Sequence, residues 1–131
     1  MVLAGLVGEA ISDAQLRRFR RAAPRGAVCD VGLWGWSRHP NYFFEWLSWC
    51  GFALFALAGL SERPIQLLAV AAPAMMWVLL VHVSGIPPLE AHMLASRGEA
   101  YRAYRRRVAA FVPQPPRRDS VSAAPIPEER P

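Results

Sequence analysis

Hydrophobic and polar positions are segregated along this 131-residue chain rather than alternating. Tyr42 to Leu60 is nineteen residues long with Glu45 as its only charge, nearly enough to cross a hydrocarbon core as a helix. Ile65 to Ser84 is a second, cleaner apolar run, with Pro73 as an expected kink. The polar turn Ser61-Glu62-Arg63-Pro64 between them is short enough to make a helical hairpin. Ahead of the hairpin, residues 2 to about 22 read as one helix. Its beginning is apolar, and its second half places Asp13, Arg17 and Arg20 on one face at spacings of three and four. Pro24 and Gly26 end it. After Gly85, Pro87-Pro88 can start a helix running to Ser96. Ser96-Arg97-Gly98-Glu99 has the pattern of a capping box, so a further helix is predicted from Arg97 to about Ala110. Prolines and scattered charges then mark a tail over 117–131 that is predicted disordered, leaving 1–116 as the folded unit. The predicted class is all-α: an integral membrane protein with a transmembrane helical hairpin and cytoplasmic amphipathic helices.

Charge fixes the orientation. All fifteen basic residues are arginine and the net charge is +5. Two apolar runs of membrane length make an anionic membrane face, not nucleic acid, the better partner. The turn between the runs carries Arg63 alone, while both flanks are arginine-rich, so both termini are expected on the cytoplasmic side of a multi-pass protein. The two arginine-rich ends then meet on one face of the membrane. Cys29 and Cys50 lack the spacing of a disulfide scaffold or a zinc site, and no metal is expected. The opening apolar residues lack a basic leader and look like the tail of a longer hydrophobic helix, so the chain is expected to be the C-terminal part, or a short version, of a larger membrane protein.

Chemistry concentrates in the stretch from Gly32 to Trp46, where Ser37, Arg38, His39 and Asn41 run directly into the first apolar segment. Pro40 suits the first turn of a helix, which would leave Ser37, Arg38 and His39 at its positive N-terminal end, a seat for phosphate or carboxylate. Asn41 and Glu45 would then stand one turn apart, with Tyr42 three before Glu45. A carboxylate one turn inside a membrane helix is costly and marks a candidate site. From the residues alone, a basic interfacial anchor with a snorkelling Glu45 fits equally well. The line Arg97, Tyr101, Arg105 likewise fits either a membrane-surface helix or one that closes a pocket over the cluster.

Ser37-Arg38-His39-Pro40-Asn41-Tyr42-Phe43-Phe44-Glu45 resembles the SRHPNYxGE motif of the bacterial membrane proteins grouped with the steroid 5-alpha-reductase C-terminal domain, of the DUF1295 type. These are related to the sterol C14 reductases and, more distantly, to the isoprenylcysteine carboxyl methyltransferases. Ser12-Asp13 with Leu16-Arg17 and Arg20 resembles the reductases' SDxxLxxxR helix, and Gly32-Leu33-Trp34 their GLF/GLW turn. Ser84 to Glu90, and Tyr101-x-x-Tyr104 through Pro113, resemble the terminal block of the bacterial group. The likeness covers about residues 8 to 116.

The resemblance implies a membrane-bound oxidoreductase of the bacterial inner membrane. It would use NADPH or NADH to reduce a steroid- or polyprenoid-like enone, with S-adenosylmethionine as the cofactor of the alternative, an isoprenylcysteine-type methyltransferase. A non-catalytic membrane subunit is the third reading. Carried over by position, Asp13, Arg17 and Arg20 would hold the adenosine and phosphate end of the cofactor. Arg38, His39, Asn41 and Tyr42 would surround the ribose, pyrophosphate and nicotinamide. Asn41 and Glu45 would be the catalytic pair beside the nicotinamide and the lipidic substrate. Glu90, His92, Tyr101, Tyr104 and Arg105 would close the pocket. The arginines favour the reductase, because a methyl donor brings no phosphates to neutralise. The chain departs from the pattern in carrying Phe44 for the motif's glycine and Gly35 where many relatives have arginine. It also lacks the preceding transmembrane helices, so a cofactor half-site completed by another polypeptide is expected.

Overall fold

The computed structural model describes residues 1–58 and 68–117, and within them the chain is all-helical. Helix α1 spans Val2–Ala22, α2 Pro40–Ala58, α3 Ala71–Val78 and α4 Ile86–Arg107. A 3-10 turn, Gly32–Gly35, stands before α2, and a π-helical turn, Leu79–Val83, follows α3. The predicted hairpin turn at Ser61–Pro64 and the predicted tail lie outside the described residues, apart from Arg117.

Helices α1 and α2 pack antiparallel through small residues. Gly5, Gly8 and Ser12 are buried along one side of α1. Gly5 lies against Ser48, Gly8 against the Phe44 ring, and Gly51 of α2 against Val2. A Cβ on Gly5 would stand 2.7 Å from the Phe44 carbonyl oxygen and 2.8 Å from the Ser48 nitrogen, so the two backbones touch. Phe44, the departure from the motif's glycine, is accommodated because Gly8 opposite it has no side chain. The bulk has moved from one helix to the other's gap.

Pro40 opens α2, and the His39 carbonyl accepts the first helical hydrogen bond, from the Phe43 N–H at 3.1 Å. Pro73 sits in the first turn of α3, where a missing N–H is tolerated, after a 3-10 turn over 68–70. Its carbonyl accepts the Trp46 indole N–H at 3.0 Å, tying α3 to α2. Among the described residues, one helical run, Leu68–Arg107, is long and apolar enough to cross a membrane. Its apolar part is largely uncovered by the rest of the chain, Leu68, Met75 and Val83 all being exposed.

The two helices predicted after Gly85 form a single element with a break inside it. The break falls at Gly98, whose φ of 52° is open to glycine but disfavoured for other residues. No capping box forms there. The Ser96 hydroxyl donates to the His92 carbonyl at 2.8 Å, in the preceding turn, and Glu99 is taken by Arg102 and Arg106. A left-handed glycine turns the chain where a side-chain cap was expected.

That break folds the end of α4 back. Val108 and Tyr104 join Tyr101 in a core that Val28, Met93 and Leu94 cover. Beyond it, Ser37 and Ala109 form an isolated parallel bridge, with the Arg38 N–H donating to the Ala109 carbonyl at 2.8 Å. Phe111 packs edge-on against Phe43 and Trp46 of α2.

Candidate functional site

The stretch from Gly32 to His39 is held from both sides. Gly32 has a φ of 58° and lies over the Gln15 side chain, whose Oε1 accepts the Leu33 N–H at 3.0 Å. The Trp34 indole donates to the Ser12 carbonyl of α1 at 2.9 Å, and the Trp34 carbonyl accepts the Tyr104 hydroxyl of α4 at 2.6 Å. A Cβ at Gly35 would meet the Asp30 carbonyl oxygen at 2.8 Å, so any side chain at this position would crowd the backbone. Ser37 is fully buried and its hydroxyl donates to the Phe111 carbonyl at 2.8 Å. Ser37 therefore anchors the C-terminal segment and does not face a ligand, unlike the anion seat expected of it at the start of α2.

Glu90 is the electrostatic centre of this region. Its Oε1 accepts from Arg38 Nε at 2.7 Å and lies 3.3 Å from His39 Nε2, while Oε2 pairs with Arg105 Nε at 3.2 Å. Arg38 is further fixed because Nη1 donates to the carbonyls of Arg105, at 3.1 Å, and Val108, at 2.7 Å. Burial alone would raise the Glu90 pKa, but the hydrogen bonds from His39 and Arg38 and the Arg38 charge outweigh it and hold the carboxyl at about 2. Burial, with the Glu90 charge beside it, pushes Tyr101 up to about 12, so that phenol stays protonated. Burial likewise drives Tyr104 far upward. Both tyrosines are proton donors at any physiological pH.

Against this network lies a cavity of about 340 Å³, between the end of α1, the connector over 23–29 and the broken helix α4. Arg20, Arg25, Arg38, Arg97 and His39 supply its polar wall, and among the described residues no carboxylate lines it. Leu16, Phe19, Trp34, Met93, Tyr101 and Tyr104 supply the apolar part. Arg97 is held in place through Nε, which donates to the Ala27 carbonyl at 3.0 Å.

The structure thus brings together Arg20, Arg38, His39, Tyr101 and Tyr104 of the residues expected to hold a cofactor, with Glu90 and Arg105 packed around Arg38. The others stand apart from the cavity. Asp13 and Arg17 pair with each other at 3.9 Å on an exposed face of α1. Asn41 and Glu45 are half-buried on the first turns of α2, and Tyr42 stacks on His39 with ring centroids 5.7 Å apart. His92 is exposed on α4. Arg25 and Arg97 line the cavity without having been singled out as ligands. Arg25 is hidden in sequence among neighbouring arginines, whereas the register of Arg97 with Tyr101, one turn apart, was a usable signal.

Fold and site define an all-helical protein with one helix fit to cross a membrane and an arginine-walled cavity where its basic segments converge. The chain belongs to the DUF1295 family, a family of unknown function whose sequence profile matches residues 1–108. No curated protein and no solved structure matches it.

Proposed function

We propose that this chain is a membrane-bound reductase of a lipidic enone that takes its reducing equivalents from NADPH or NADH, with the cofactor's phosphates in the arginine-walled cavity. The supporting observation is the donor set. Four guanidinium groups converge on one cavity with no lining carboxylate, which suits a polyanion and little else. The aromatic and thioether surfaces of Phe19, Trp34 and Met93 suit a ring system beside it. At about 340 Å³ the cavity is near the small end of ligand pockets, so it would enclose one part of a dinucleotide rather than the whole.

A bound nicotinamide would supply hydride to a double bond conjugated to a carbonyl. The residues of this chain would orient the phosphates and shield the site from water. The catalytic assignment of Asn41 and Glu45 rests on the family resemblance, since neither lines the cavity. In the same reading, the apolar run of α2 and that of residues 68–84 both cross the bacterial inner membrane, so that both arginine-rich flanks face the cytoplasm. S-adenosylmethionine is the second reading. The small volume favours a single nucleoside, but the arginines would meet no phosphate.

Isothermal titration of the detergent-purified chain with NADPH, NADH and S-adenosylmethionine tests these readings together. The reductase reading expects a dinucleotide to bind and the methyl donor not to. Arg20→Ala should weaken dinucleotide binding by about 1.5–3 kcal/mol, the scale of a charge-assisted hydrogen bond. Arg21→Ala, outside the cavity, should leave it unchanged. Equal losses from the two would mean a diffuse basic surface instead of a site.

A further inference from the structure

Arg38 is shared between the first cavity and a second one, of about 280 Å³, whose other charged walls are Arg105, Arg106, Arg107 and Arg117. Among the described residues, no carboxylate lines this second cavity. Three acids lie behind it. Glu90 pairs with Arg38 and Arg105, Glu99 with Arg106 and also Arg102, and Asp30 with Arg107. Among the described residues, the guanidinium groups of Arg38, Arg102, Arg105, Arg106, Arg107 and Arg117 outnumber these acids. Among the described residues, the Arg117 guanidinium, the Gln114 side-chain amide and Arg38 Nη2 make no hydrogen bond. The Arg38 side chain is only 9% exposed and is held rigid by three other bonds.

Depth narrows the ligand. Glu90 lies one helical turn past Ile86, in the first turns of α4, which follows the apolar run after the bend at Ser84–Gly85. The break at Gly98 returns Arg105 to within 3.2 Å of Glu90, so the second cavity stands at that same level. Beside it, Gln114 donates its N–H to the Trp36 carbonyl at 2.9 Å, and Trp36 and Val112 are each 49% exposed. Arginines next to an exposed indole and an exposed aliphatic group, one turn from an apolar helix, match a membrane interface.

We propose that this second cavity seats the phosphodiester headgroup of an anionic phospholipid. The inference rests on the reading that residues 68–84 cross a bilayer and is independent of the reductase reading. The chemistry recognised is a phosphodiester whose head group carries no cation to neutralise it, which separates phosphatidylglycerol from phosphatidylcholine. Trp36 and Val112 favour a lipid over a soluble phosphate, because they would meet the glycerol and upper acyl region.

The test uses the full chain in mild detergent, with phosphatidylglycerol, phosphatidylcholine of the same acyl chains, and inorganic phosphate added separately. Bound lipid is read by native mass spectrometry, and protection by the thermal midpoint. Phosphatidylglycerol should be retained at least tenfold over phosphatidylcholine. Arg106→Gln with Arg117→Gln, both exposed positions, should remove most of that preference. Arg18→Gln with Arg21→Gln, an equal loss of charge elsewhere, should preserve it. Equal retention of the two lipids, equal loss in both double variants, or equal protection by millimolar inorganic phosphate would overturn the proposal. Recovery of the chain in the soluble fraction without detergent would instead overturn the membrane reading beneath it.

Discussion

Glu90→Gln is expected to be the most damaging conservative change in this chain, costing about 3–5 kcal/mol, the range for removing one partner of a buried ion pair. The side chains of Glu90 and Arg38 are only 10% and 9% exposed, so the loss leaves Arg38 charged with little water to compensate. Glutamine keeps the shape and can still accept a hydrogen bond, which restricts the change to charge. The pH dependence gives an independent reading. The folded-state pKa of Glu90 is about 2, below its ordinary 4.5, so its stabilisation is complete above about 4.5 and is lost as pH falls through about 2. Thermal unfolding in detergent should therefore show the parent midpoint falling over that acid window. Glu90→Gln should start lower and lose less across it. Parallel profiles would mean that Glu90 is not the group responsible.

Gly5→Val should cost about 2–3 kcal/mol, the upper part of the range for overpacking a close contact. The neighbours a Cβ would strike are the Phe44 carbonyl oxygen and the Ser48 nitrogen, at 2.7 and 2.8 Å. Both are backbone atoms of α2, so no rotamer change relieves the clash and the two helices must separate. Ala4→Val, at the adjacent exposed position of α1, adds the same β-branch with no neighbour to strike and serves as the control. A midpoint equal to the parent's in Gly5→Val would show that α1 and α2 do not touch here.

The parts of this architecture governed by local chemistry were legible in the sequence. The bounds of α1 and the start of α2 at Pro40 each follow from residues within a turn of the boundary, whereas Pro73, expected as a kink inside a helix, stands in the first turn of α3. The break in α4 was expected within two residues of its position but for another reason. Ser96-x-x-Glu99 spells a cap, yet Glu99 has arginines at 102 and 106 within reach, and a left-handed Gly98 makes the turn without a cap. The site was legible only in fragments. Asp13 and Arg17 look like ligands by motif, but their i, i+4 spacing also allows them to satisfy each other, as they do. Glu90 was placed with the pocket, but its central role depends on Arg38 and Arg105 approaching from distant parts of the chain, which no local pattern records. The role of Ser37 was hidden for the same reason, since its acceptor is 74 positions away.

The pairing of Ser37 and Arg38 with residues 109–111 also sets an order of assembly. A ribosome delivers this chain from the N-terminus, so α1, α2 and α3 can associate while the acceptors for Ser37 and Arg38 have yet to be made. A nascent chain stopped before Val108 would hold the apolar helices together yet leave Arg38 without the Val108 carbonyl and Ser37 without the Phe111 carbonyl. The first cavity takes walls from Leu89 to Tyr104 and the second from Arg105 to Arg117, so neither exists until those residues have been made. Until then the Arg38 guanidinium has Glu90 for its charge but lacks the Val108 carbonyl that fixes its other end, so its position is set last.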